Sequence, residues 1–243
     1  MVRRIASLVP SLTHTVCALG AGDRLVARTI YCVEPRDALA AVPACGGTKN
    51  PDLERILALQ AEIALCCDEE NKPEHRHALA SAGVTVHTVM PRSLDDVDAL
   101  LCAYGDLLGV RAAAAEARAE LAAARQACAG RLAGRAAALI WKDPWMAVGG
   151  GCHGDGLMRE LGLANVFADR PGYPTVTLDE LAALDLDLLL LPDEPWRFTP
   201  ADAARLADAG LARRAVAFDG KDLSWYGAWT AGGLRRLAAL LQL

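Results

Sequence analysis

Short apolar runs with the composition of buried strands alternate with amphipathic helical stretches along almost the whole chain, and one alanine-rich segment breaks the alternation midway. RIASLVP is followed by LTHTVCALG, EIALCC by PEHRHALASAG, and VTVHTVM by SLDDVDALLCAYGDLLG. Beyond the break, AALIWKD, DGLMRELGL, LDLLLLP, TPADAARLADAG, AVAFDG and WTAGGLRRLAALLQL resume the same order. Strands that alternate with helices call for parallel sheets with crossover helices packed on them. The segment between, VRAAAAEARAELAAARQACAGRLAG, holds the strongest helix formers in the protein and meets no glycine or proline before Gly130. The expected fold class is therefore α/β: two parallel-sheet lobes joined by one long helix, with a ligand cleft between the lobes. The expected boundaries are 1–109 for the N-terminal lobe, 110–134 for the connecting helix and 135–243 for the C-terminal lobe.

A chain of 243 residues, 53% of them hydrophobic, supplies a core for each lobe without metal or disulfide staples. The formal net charge of −5 offers no basic field for nucleic acid, so no nucleic-acid partner is expected. Pro10, Ser11, Thr13 and His14 interrupt the N-terminal stretch before an apolar signal region develops, and it reads as a first strand. The longest apolar run, LDLDLLLLP, is too short and too charged to span a bilayer, so no membrane insertion is expected. Eight cysteines weigh against an oxidising compartment. The chain as written is expected in the cytoplasm, and in the periplasm if a leader has been removed.

In open α/β sheets ligands bind beyond the carboxyl ends of the strands, which directs attention to the loops that follow them. In VPSLTH, Ser11 or Thr13 is expected to cap the first helix; in ACGGTKNPDLER the cap falls on Asn50 or Asp52, and Thr199 with Pro200 opens a later helix. All five tryptophans lie in the second half, in or beside such loops. Trp145, Trp196 and Trp225, with Tyr226, are expected to form an exposed platform for a large flat ligand, with Trp141 and Trp229 as its weaker candidates. Cys152 and His153, in WKDPWMAVGGGCHGDG, admit three roles: a reactive pair, metal donors, or a pocket wall at a helix N-terminus, of which the wall is the expected one. Cys66 and Cys67 are read as strand-end packing, and His75, His77 and His87 as solvated surface. DEEN at 68–71 with Glu74, and DEP at 193–195, place carboxylates just past a buried strand in each half.

Together these segments resemble the cobalamin-binding members of the class III, helical-backbone metal receptor proteins, the substrate-binding components of ABC importers for cobalamin, haem and iron–siderophore chelates. The resemblance rests on RIASLVPSLTHTVCALGAGDRLVART, ACGGTKNPDLERILALQAEIALCCDEEN, the isolated long helix, IWKDPWMAVGGG, NVFADRPGYPTVTLDELAALDLDLLLLPDEPWRF and DLSWYGAWT, in order over the whole chain. It implies non-catalytic binding of a cobalamin-like corrinoid, as a soluble carrier or a transporter component, with no resident cofactor and an ABC permease as candidate partner. Carried over by position, the ligand-binding residues are Tyr31, Cys32, Gly47 and Thr48 in the first lobe and Trp145, Gly150, Trp196, Trp225 and Tyr226 in the second. Permease-docking carboxylates fall on Glu70, Glu74 and Glu194. His14, Cys152 and His153 are the candidate axial donors to a metal; His14 stands where the family commonly has glutamate. The alternatives are haem or iron–siderophore binding with His or Cys ligation, and an enzyme acting on a chelate or small metabolite through Cys152 and His153.

Overall fold

Ile63–Cys67 and Leu188–Pro192 are buried at every position, as a strand must be when it is paired on both edges and covered on both faces. The computed structural model describes residues 2–242 and places each of these strands inside a sheet.

The chain forms two compact units. The first takes residues up to Met90, Asp96–Leu121 and the short segment Tyr226–Trp229. Its sheet comprises β1 (Ile5–Ser7), β2 (Leu25–Arg28), β3 (Ile63–Cys67) and β4 (Thr85–Val89) in the order β2-β1-β3-β4, every pairing parallel. Between the strands lie α1 (Pro10–Ala18), α2 (Arg36–Leu39), α3 (Leu53–Ala58) and α4 (Pro73–Ser81). Asp52 caps α3, accepting from the Arg55 amide at 3.0 Å. The expected cap by Ser11 or Thr13 is not formed. Pro10 occupies the first helical position of α1, so Val9 becomes the N-cap and both hydroxyl residues fall inside the helix.

After α5 (Leu94–Leu108) comes α6 (Arg111–Cys128), and the division between the units passes through it. The helix expected over 110–134 therefore stops at Cys128: Gly130 turns left-handed with φ +62°, and its amide bonds to Glu160 O instead of continuing the helix.

The second unit carries β5 (Arg135–Trp141), β6 (Met146–Ala147), α7 (His153–Leu161), β7 (Ala164–Asn165), α8 (Leu178–Ala182), β8 (Leu188–Pro192), α9 (Pro200–Asp208), β9 (Arg214–Phe218), α10 (Lys221–Ser224) and α11 (Thr230–Leu241). The main path is β6-β5-β8-β9, with β7 also on β5. Against expectation one pair, β5–β6, is antiparallel, because the chain turns straight back after Trp141 without a crossover. Thr199 caps α9 in a reciprocal box with Asp202. No helix among the described residues is long and apolar enough to cross a membrane.

Candidate functional site

In the first unit the loop after the half-buried edge strand β2 at once exposes large apolar side chains: Ile30 is 52%, Tyr31 57% and Val33 48% accessible. Behind them Cys32 is fully buried, its sulfur 3.1 Å from Thr29 Oγ1 and 3.0 Å from Thr13 Oγ1. Burial pushes the Cys32 thiol up, the two threonine hydroxyls opposing, so it anchors the loop as a neutral group. Gly47 lies against Tyr31, since a Cβ there would sit 3.2 Å from the ring carbon Cε2. Thr48, half-buried beside it, is fixed through its carbonyl, which accepts from Asn71 Nδ2 at 3.0 Å. Of the expected first-lobe ligand residues, Tyr31, Gly47 and Thr48 thus form one local surface and Cys32 supports it.

Asn71, read from sequence as part of an acidic surface loop, is instead buried and ties three loops together. Its Oδ1 accepts from the Cys67 amide at 2.8 Å, and Nδ2 donates to Leu8 O at 3.3 Å and to Thr48 O. Nothing in the pattern DEEN distinguished it. Of the neighbouring carboxylates, Glu74 is exposed in the first turn of α4 and Glu70 is half-buried.

The segment Tyr226–Trp229 belongs to this unit although some 200 residues of chain separate it from α1. Tyr226 is buried, not part of an exposed platform, and its hydroxyl faces Ser11 and Cys67. Burial raises its pKa well above the ordinary phenol value, and lifts Cys66 to about 12 and Cys67 to about 11. Gly227 and Ala228 pass directly over Thr15, whose Oγ1 accepts from the Ala228 amide at 3.1 Å. Trp229 meets the His14 ring edge-on, centroids 5.0 Å apart. Burial pushes the His14 imidazole below its usual pKa, Glu34 opposing, which favours the neutral form that can donate a lone pair to a metal.

His87, expected on solvated surface, lies on β4 against Tyr104 at 5.5 Å, and burial lowers its pKa. Cys66 and Cys67 are strand residues packed in the sheet, as expected.

In the second unit the end of β5 and the loops after β5 and β8 carry the aromatic side chains. Trp141, a weaker candidate from sequence, is the most exposed tryptophan at 37% and stands edge-on to Trp196, centroids 5.4 Å apart. Trp196 is held by its amide, which donates to Ile140 O at 3.2 Å. Trp145 stacks on Phe198 with an interplanar angle of 7°. Trp225 is buried, so the expectation of an exposed Trp145–Trp196–Trp225 platform gives way to a half-exposed Trp141–Trp196 pair.

The glycines before Cys152 have a structural reason. Gly149 N donates to Gly172 O and Gly150 N to Arg170 O, both at 2.8 Å, and a Cβ on either would overlap a carbonyl of the facing 168–172 strand-like loop. Cys152 is the N-cap of α7 and its thiol donates to Gly149 O at 3.3 Å; His153 opens the helix and is buried. Glu194 is half-buried and accepts from Ser224 Oγ at 2.8 Å; burial raises its carboxyl pKa, that hydrogen bond opposing. Among the described residues no group of three or more His, Cys, Asp or Glu side chains is placed to hold a metal ion, and all eight cysteines are free.

Comparison with known proteins gives this architecture a context. The family described as periplasmic binding protein matches residues 5–195. A vitamin B12-binding protein of Vibrio cholerae serotype O1 is 30% identical over 94 residues, 39% of this chain and 34% of the relative, so the match spans about a third of that relative's length. Among solved structures, the periplasmic vitamin B12 binding protein of Vibrio cholerae superposes with a TM-score of 0.84 at 21% identity, covering 99% of this chain and 96% of that one. A periplasmic haem binding protein from Pseudomonas aeruginosa gives 0.81 at 26% identity, covering 100% and 93%. The cytoplasmic placement expected from the cysteines finds no support here, since the family and both structures are described as periplasmic.

Proposed function

We propose that this chain, which belongs to the periplasmic binding protein family, is the substrate-binding component of an ABC-type uptake system and that its cargo is a cobalamin-like corrinoid. It is a binding protein and not an enzyme; the chelate is cargo, and no resident cofactor is required. The observation that carries the reading is the exposed run Ile30, Tyr31 and Val33, backed by Gly47 and Thr48. A cluster of large apolar side chains held in water by a buried anchor loses free energy of about 25 cal/mol per Å² when a flat ligand covers it. The Trp141–Trp196 pair is the corresponding aromatic surface of the second unit. Trp225 and Tyr226 are buried, and Cys32 and Gly150 shape the loops. The vitamin B12-binding relatives support the corrinoid.

Haem is the second reading. His14 favours it, because a half-buried neutral imidazole beside Trp229 is the donor an open axial position of iron takes up, whereas Cys152 and His153 are buried at the start of α7. The docking carboxylates for a permease are Glu70 and Glu74, with Glu194 holding the segment around Ser224. The location we propose is the periplasm. Buried thiols such as Cys66 and Cys67, with pKa values of about 12 and 11, carry almost no thiolate and resist oxidation there.

The test is an absorbance and calorimetric titration of the reduced protein with hydroxocobalamin, with haemin in parallel. Saturable one-to-one corrinoid binding is expected, weakened about 10- to 50-fold by Tyr31→Ala. Saturation by haemin alone, with a Soret shift lost in His14→Ala, transfers the cargo to haem. Saturation by neither overturns the proposal.

A further inference from the structure

A second concave surface lies wholly within the second unit. It has a volume of about 420 Å³ and is lined by Lys142 and Trp145 from the loop after β5, Leu178 and Ala182 of α8, Arg205 of α9, and Leu211. That volume is in the range of small-molecule sites.

Three features make it a site of defined chemistry. First, the floor is apolar and fixed: Leu206 and Leu211 belong to the core, and the Trp145 ring is set by its parallel stacking on Phe198. Second, the groove is open because α8 ends at Ala182 and α9 at its cap residue Ala209, both exposed and neither carrying more than a methyl group. Third, the charges are unequal. Arg205 is already paired with Asp202 at 2.8 Å, and Asp202 is held below the usual carboxylate range, chiefly by the Thr199 hydroxyl. Lys142 makes no ion pair within 4.0 Å among the described residues, although its charge is among those that lower Asp202; its ammonium stands 5.9 Å from the Trp145 ring centroid. Asp179, also in the lining, repels a second negative charge and disfavours a dianion.

We infer that this groove is a binding site for a small aromatic carboxylate, its ring lying along Trp145 and Leu206 and its single negative charge paired with Lys142. The aromatic ring supplies the stacking area that a leucine-and-tryptophan floor rewards. The carboxylate supplies a close charge-assisted hydrogen bond, which the longer-range attraction between the ammonium and Asp202 does not provide. A neutral ligand gains no charge-assisted bond from Lys142, and a cation is repelled by it.

The test uses the full chain and 1-naphthoate as probe, followed by calorimetry, with 1-naphthamide as the neutral control. One-to-one saturable binding of the carboxylate is expected, at least tenfold tighter than the amide. Lys142→Met should weaken it about tenfold and erase the preference over the amide. Ala182→Trp, which fills the groove from an exposed position, should abolish it while the thermal unfolding curve and the hydroxocobalamin titration stay as in the parent. Equal affinity for acid and amide, binding that survives both substitutions, or no saturation at millimolar probe overturns the assignment.

Discussion

Gly227→Ala is expected to lower the stability of the protein by about 3–5 kcal/mol, read as a fall in Tm of roughly 10 °C. Two costs combine. The residue has φ +92°, a conformation alanine adopts only with strain of about 1–2 kcal/mol. A Cβ there would also overlap Thr15 Oγ1, with Thr15 Cβ and Cγ2 close behind at 3.3 and 3.4 Å. Relieving that overlap means lifting the Tyr226–Trp229 strap, which breaks the Ala228 amide bond to Thr15, draws Tyr226 out of its buried place and separates Trp229 from His14. Thr15→Ala alone should cost about 1 kcal/mol through the lost hydrogen bond. Combined with Gly227→Ala it should recover part of the loss, so a double-mutant cycle reports coupling between positions far apart in sequence. A single variant that melts within a degree of the parent would show that the strap is not held at this point.

The strap also shows where the sequence was and was not readable. Strands such as Ile63–Cys67 and Leu188–Pro192 announce themselves because burial on both faces demands an unbroken apolar run. Thr199–Pro200 is readable because capping chemistry is local. Tyr31, Gly47 and Thr48 came from the family resemblance, and their clustering rests on pairings between loops that no local pattern encodes. The tryptophans misled for a physical reason: an indole after a strand is equally suited to cover a ligand or to seal the core. Trp225 does the second, while Trp141, the weaker candidate, is the one left most in water. The end of α6 was misplaced because alanine-rich propensity extends to Gly130, whereas the helix yields earlier to a bond between the Gly130 amide and Glu160.

Asn71 is the case with the largest consequence and the weakest sequence signal, and replacing it by leucine should cost about 3–5 kcal/mol. Leucine has nearly the same size, so packing changes little. What is lost is the pairing of three backbone groups: the Cys67 amide and the Leu8 and Thr48 carbonyls. Each buried backbone group left without a partner costs about 1–3 kcal/mol, and water does not reach a side chain that is 1% exposed. Because Thr48 belongs to the surface beside Tyr31, cargo affinity should fall along with Tm, beyond what a uniform loss of folded protein explains. Asn71→Asp separates hydrogen bonding from shape. Its carboxylate still accepts from Cys67 N but faces two carbonyl oxygens, so burial and repulsion raise its pKa in the folded state above the unfolded value. The sign follows from linkage. Between those two values the folded state binds more protons than the unfolded one, so the variant is most stable in acid and loses stability as pH rises through the raised pKa. Urea titrations of parent and Asn71→Asp at about pH 5 and about pH 8 should therefore converge at the lower pH and diverge at the higher. Equal destabilisation at both would mean that Asn71 fills space and does not tie the loops.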